Sequence, residues 1–213
     1  MGSWTPKATK VVKGGEMKAF TLQLATDVNF QDIIREANTT GDKKNQTLSF
    51  VDDSGKGIGY SLSDITANPD TAGDSTGRGA SKTFTYYVRE KTDGALFSNY
   101  KYDNSVYKLD VTMADKKNGE ITAAKVAYTQ IKDADGNAID EAKQKPMEYN
   151  DGSDTAKPKS IPTFTNTYST SLPLSGMSGV TLTYLAGAAV LCAAAAWMHI
   201  RRKANAKGGE RRE

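Results

Sequence analysis

Apolar and polar residues alternate along most of this chain. Phe20-Thr21-Leu22-Gln23-Leu24 places three apolar side chains on one face of an extended segment. Phe84-Thr85-Tyr86-Tyr87-Val88 does the same, as does the run from Tyr107 to Met113. Ile121 to Ile131 predicts a long strand, and Lys116-Lys117-Asn118-Gly119 ahead of it predicts a hairpin turn. Asp133-Ala134-Asp135-Gly136-Asn137 predicts another turn. Asn29 to Ala37 predicts a short helix. Asp64 to Ser81, rich in Gly, Asp, Ser and Thr, predicts a long loop, and Lys157 to Pro162 leads into a final strand. From about Thr9 to Tyr168 the chain therefore reads as one all-β domain. Seven or more strands in this length predict a Greek-key or immunoglobulin-like β-sandwich. The expected division is 1–7 as an N-terminal segment, 8–168 as the sandwich, 169–176 as a linker with a short motif, 180–200 as a membrane span and 201–213 as a tail. No internal repeat is visible.

The alternation stops in the last forty or so residues. Val180 to Ile200 is an uncharged apolar run of 21 residues, and about 20 helical residues cross a hydrocarbon core. Its alanines make it a weak anchor, but Tyr184 and Trp197 near its ends suit the two membrane interfaces. Arg201, Arg202, Lys203, Lys207, Arg211 and Arg212 follow, against only Glu210 and Glu213. The positive-inside rule puts that tail in the cytoplasm. The competing reading, a buried helix of a soluble domain, fits poorly beside a polybasic terminus. Ahead of the run stands Leu172-Pro173-Leu174-Ser175-Gly176. Motif, span and basic stop in this order resemble the LPxTG cell-wall sorting signals that sortase transpeptidases read in Gram-positive bacteria. The resemblance implies cleavage between Ser175 and Gly176, attachment to peptidoglycan or to a neighbouring subunit, and a cell-surface location for everything upstream. Ser175 stands where threonine is usual, which leaves open which sortase acts. Met1-Gly2-Ser3-Trp4 lacks the apolar core of a secretory signal. The expectation is a piece, or the last domain, of a longer exported protein.

Composition excludes more than it identifies. The formal charge is +3, and the tail accounts for more than that excess. The remainder is close to neutral, so nothing electrostatic points to nucleic acid. The single histidine, His199, and the single cysteine, Cys192, both fall in the apolar run. The predicted ectodomain therefore has no disulfide, thiol nucleophile, histidine base or zinc site of the usual ligands. Most hydrolase chemistries go with them, and no cofactor is implied. Asp133, Asp135 and Asn137 have acidic spacing, but Gly136 is fourth in the would-be calcium loop and Gln144 is twelfth. An EF-hand wants Gly sixth and Glu twelfth, so a plain turn is the better reading and no metal is expected.

Strand parity singles out three polar residues. Period two puts Glu90 on the face of Phe84, Tyr86 and Val88. Asn166 shares a face with Phe164 and Tyr168, and Lys10 shares one with Ala8 and Val12. Each run thus carries a polar group on its apolar side. Such groups must find partners or lose their charge. An amine, a carboxyl and a carboxamide meeting in one core can also react.

Several stretches now share a pattern: Ala8-Thr9-Lys10-Val11-Val12-Lys13-Gly14, Phe20 to Leu24, Tyr86-Tyr87-Val88-Arg89-Glu90, Tyr102-Asp103 with Tyr107 to Val111, and Phe164-Thr165-Asn166-Thr167-Tyr168. In that order, just before a sorting motif, they resemble the FctA-type pilin domains of Gram-positive bacteria, relatives of the CnaB-like sandwiches. The resemblance implies a self-formed isopeptide bond with Lys10 as the linking lysine, Asn166 as its partner and Glu90 as the catalytic acid. A slipped register would make Lys13 the linker instead. It also implies a lysine that accepts the next subunit. Thr5-Pro6-Lys7 is faintly similar to the YPK pilin motif without its tyrosine, which makes Lys7 a candidate. The expected function is structural, not enzymatic in turnover: a sortase-anchored pilin or fibre subunit. An anchored adhesin that binds a host ligand through loops such as Asp64 to Ser81 is the alternative. A secreted hydrolase is poorly supported.

Overall fold

Alternation becomes strand pairing in the computed structural model, which describes residues 1–94 and 97–169. The strands are β1 (Gly2–Trp4), β2 (Lys7–Lys13), β3 (Thr21–Ala25), β4 (Ile33–Asn38), β5 (Asn45–Ser49), β6 (Ile58–Tyr60), β7 (Ser81–Glu90), β8 (Tyr100–Lys101), β9 (Val106–Asp115), β10 (Ile121–Lys132), β11 (Met147–Glu148) and β12 (Thr163–Tyr168). A short α-helix, α1 (Leu62–Thr66), follows β6, and a single 3-10 turn spans Glu141–Lys143. The expected span, the Leu172 to Gly176 motif and the basic tail lie outside the described residues. Among the described residues no helix is long and apolar enough to cross a membrane.

Six strands pair in the order β11-β10-β9-β7-β3-β4, and four in the order β5-β2-β12-β8; β1 and β6 form a separate pair. Every ladder is antiparallel except β2 with β12, which run side by side in the same direction. The larger sheet sends Leu22, Leu24, Val88, Leu109, Val111 and Met113 into the same buried cluster as Ala8, Leu48 and Phe164 of the smaller. The two sheets therefore share one core, the arrangement of a β-sandwich. Parity holds where it was clearest. Tyr86, Val88 and Glu90 of β7 are buried while Tyr87 and Arg89 between them are only half-buried. Tyr107, Leu109, Val111 and Met113 of β9 all point inward.

The hairpin between β9 and β10 forms as expected. Lys117 and Gly119 take left-handed φ values of 67° and 88°, and the Asp115 carboxylate accepts the N–H groups of Gly79, Lys117 and Gly119. The Asp133 turn also forms: Oδ1 of Asp133 accepts from the N–H groups of Asp135 and Asn137. Its acidic side chains organise a turn, and no cluster of three or more metal-ligating groups occurs among the described residues.

Two expectations need correction. Asn29 to Ala37 is not a helix. The Asp27 carboxylate accepts the N–H groups of Asn29 and Asp32, and Phe30 turns left-handed at φ 56°. That reverses the chain, and the β-branched pair Ile33-Ile34 then extends into β4 against β3. A local hydrogen-bonded turn outcompetes the helix at its first residues. Asp64 to Ser81 is not loop throughout. Ser61 and Asp64 form a reciprocal capping box that starts α1 at Leu62, and the helix runs through Asp64 to Thr66 with Ile65 fully buried.

Candidate functional site

β2 lies between β5 and β12, so its inward side chains are covered on both flanks. Lys10 sits in the middle of β2 and is 0% exposed. Its Cα pairs with Phe164 of β12, and Asn166 pairs with Val12. Lys10 and Asn166 thus lie one diagonal step apart on the same face of two adjacent strands, within reach of long side chains. Asn166 is also 0% exposed. Glu90 arrives from the opposite sheet. It is the last residue of β7, pairs with Leu22 of β3, and is 2% exposed.

The three side chains meet. Lys10 Nζ lies 2.8 Å from Glu90 Oε2, and Asn166 Nδ2 donates to Glu90 Oε1 at 2.9 Å. One carboxyl group therefore holds two nitrogens, one on each oxygen. The Asn166 carbonyl Oδ1 is turned the other way and accepts the backbone N–H of Asp103 at 3.0 Å. The face of Phe20 lies 4.9 Å from Nζ. Phe20 is packed in turn with Val12, Met17, Tyr100 and Tyr102, which closes that side to water.

Electrostatics favours the uncharged forms. Burial pushes the Lys10 amine below the ordinary lysine value, with the contact to Glu90 opposing. Burial pushes the Glu90 carboxyl up, with Lys10 and Asn166 opposing. Desolvation is the largest cause for both, so both shifts run toward a neutral amine and a neutral carboxylic acid. In those forms Lys10 has a lone pair to offer, Glu90 has a proton to give, and the Asn166 carboxamide is held at both ends.

The other candidates fall elsewhere. Lys13 ends β2 exposed to solvent and has no part in this cluster. Lys7 Nζ lies 2.7 Å from Asp151 Oδ2, and its backbone N–H donates to the Tyr149 hydroxyl. That lysine holds the Asp151 carboxyl down at about 2. A surface groove of about 700 Å³ lined by Trp4, Lys125, Met147, Tyr149 and Asp151 contains none of the three clustered residues. Sequence reasoning missed two contributors. Phe20 was legible as an inward residue but not as the wall of a site. Asp103 lies between β8 and β9 in a segment without periodicity, and nothing local marks its amide as a ligand for Asn166.

The geometry can be set beside known proteins. The family profile FctA, described as "Spy0128-like isopeptide containing domain", matches residues 6–169. No curated protein matches the chain. Among solved structures the chain is similar to the major pilin from Streptococcus pyogenes, with 10% identity, 79% of this chain and 51% of that chain covered, and a TM-score of 0.36. The T-13 major pilin of the same organism shares 17% identity over 77% of this chain and 52% of that one, at TM-score 0.39. The T3.2 major pilin shares 11% over 78% and 53%, at 0.38. The chain thus spans about half the length of these pilins. Membership rests on the profile match rather than on superpositions of this quality.

Proposed function

The chain belongs to the FctA family of Spy0128-like isopeptide containing domains, and from that premise we propose a structural surface subunit, a pilin or fibre element, in which Lys10 and Asn166 join through an isopeptide bond with Glu90 as the catalytic acid. One observation carries the reading: in a dry interior, Glu90 touches both the nitrogen that would arrive and the nitrogen that would leave. Neutral Lys10 Nζ attacks Asn166 Cγ, and an Nζ–Cγ bond forms. Glu90 receives a proton from Nζ and delivers one to Nδ2. The Cγ–Nδ2 bond breaks and ammonia leaves, so Glu90 ends as it began. The event occurs once per molecule and is maturation, not turnover.

The bond would suit a load-bearing part. β2 and β12 are parallel, so pulling the start of one and the end of the other shears their ladder along its length. A covalent Lys10–Asn166 link crosses that ladder and carries the force. By the chain-entropy relation for cross-links, closing a loop of about 157 residues is worth roughly 5 kcal/mol. This supplies the staple that a cysteine-free exported sandwich otherwise lacks. Sortase attachment through Leu172 to Gly176, to peptidoglycan or to another subunit, completes the reading and places the domain at the cell surface. Lys7 remains the candidate acceptor amine. It opens β2, at the opposite end of the parallel pair from Tyr168.

Intact mass of the full chain tests the chemistry. The expected mass is that of the sequence less one ammonia, and Glu90→Ala is expected to restore the ammonia. A wild-type chain at its full sequence mass rules the bond out. Polymers that resist sodium dodecyl sulfate and need a sortase test the assembly.

A further inference from the structure

Asp103 is buried, yet the mechanism above leaves its carboxylate without a task. Both of its oxygens are occupied by backbone donors: Thr165 N–H reaches Oδ2 at 2.7 Å and Ser105 N–H reaches Oδ1 at 3.0 Å. Its own N–H donates to Asn166 Oδ1 at 3.0 Å. Residues 165 and 166 are therefore clamped to residue 103 twice, once through the Asp103 side chain and once through its backbone. The neighbours of Asp103 are pinned as well. Asn104 N–H donates to the Ala134 carbonyl, and Gln130 Nε2 donates to Ser105 Oγ. The Asp103 amide is thus aimed before any reaction occurs.

We propose that this N–H is the oxyanion donor for isopeptide formation, and that the Asp103 carboxylate is the positioning residue that holds it against Asn166. The inference rests on the Lys10–Asn166 reading. When Lys10 Nζ bonds to Cγ, the carbonyl π electrons move onto Oδ1 until ammonia departs. In a site closed to water only a fixed donor can meet that charge, and a donor already in place needs no reorganisation. The choice of aspartate follows from the two N–H groups it faces. Only a carboxylate accepts on both oxygens; an asparagine would set an NH₂ against one of the two donors.

The test follows newly synthesised full chain, pulse-labelled, quenched in denaturant at intervals and weighed. Asp103→Ala and Asp103→Asn are expected to lose ammonia about tenfold or more slowly than wild type. The rate is divided by the folded fraction of the same substitution in a Lys10→Ala chain, which cannot link. A residue that merely braces the loop would change the folded fraction and leave the corrected rate alone. An Asp103→Asn chain that keeps the wild-type corrected rate overturns the proposal while leaving the isopeptide intact. A wild-type chain that never loses ammonia removes both. Should the Asp103 variants fail to fold, hydrogen exchange on the unreacted Glu90→Ala chain decides. The amide of residue 103 is expected to be protected there, and to be released by adding Asn166→Ala while the amides of 105 and 165 stay protected. Fast exchange at 103 in Glu90→Ala contradicts the assignment.

Discussion

The molecule carries two clusters with the same functional groups. In the core, Lys10 and Asn166 meet on Glu90. On the outer face of the larger sheet, Gln23 Nε2 donates to Glu36 Oε1 at 2.8 Å, and Lys91 Nζ lies 3.7 Å from the same oxygen. Each is an amine, a carboxyl and a carboxamide. The difference is water. Lys10 and Glu90 have no exposed side-chain surface, whereas Lys91 and Glu36 are each 42% exposed. Water reaches the Lys91 nitrogen and the Glu36 carboxyl, so the desolvation that acts on the core pair is largely missing there. Geometry differs too. Lys91 and Gln23 share one oxygen of Glu36, so no relay runs from one oxygen to the other. The Gln23 carbonyl faces the Arg89 guanidinium instead of a fixed backbone amide. The same three functional groups are thus fully enclosed in one place and, at their amine and carboxyl, half open to water in the other.

The largest expected effect comes from removing the reactive amine. Lys10→Ala should keep the ammonia and unfold roughly 10–20 °C lower than wild type, the size expected for losing a link worth roughly 5 kcal/mol in a domain of this length. Calorimetry and intact mass read both. An unchanged melting temperature would break the contrast between the two clusters. Making the core cluster resemble the surface one comes next. Phe20→Ala removes the wall beside Nζ and admits water. It should cost about 3–5 kcal/mol of stability and slow ammonia loss in the fraction that folds.

The pH profile of linking gives a subtler effect. The reactive neutral pair and the unreactive ion pair hold the same number of protons, so the rate should be flat around neutrality. It should fall in acid, where the amine and the acid are both protonated, and in alkali, where both are deprotonated. Burial lowers Lys10 and raises Glu90, which favours the neutral pair throughout that plateau. Timed quenching across buffers reads the curve, and a rate that climbs steadily with pH would show a surface-type lysine. The smallest effect belongs to the exposed cluster. Lys91→Ala should leave ammonia loss intact and change stability by less than about 1 kcal/mol. Loss of the mass change on this substitution would assign the chemistry to the wrong lysine.

Much of this was legible before any coordinates. The alternation in Phe84 to Glu90 and in Tyr107 to Met113 predicts strands, their inward faces and the inward Glu90. Lys10 and Asn166 follow from the same parity. The helix expected over Asn29 to Ala37 failed because the Asp27 turn and the pairing of β4 with β3 outweigh a weak helical pattern. Short strands such as β1 and β8 carry too few residues to show a period. The amide of Asp103 has no sequence signal at all, since every residue but proline owns one.

Sequence by itself determined which side a residue takes in the clearly alternating strands such as β7 and β9, because alternation is a property of the extended backbone and needs no partner. It also determined that an amine, a carboxyl and a carboxamide would all point inward. Tertiary structure alone decided that the three meet, that Lys10 rather than Lys13 is the enclosed lysine, and that Lys91 and Glu36 stay partly in water. Those outcomes depend on what lies across the core from each strand. Desolvation is set by surroundings that come from distant parts of the chain.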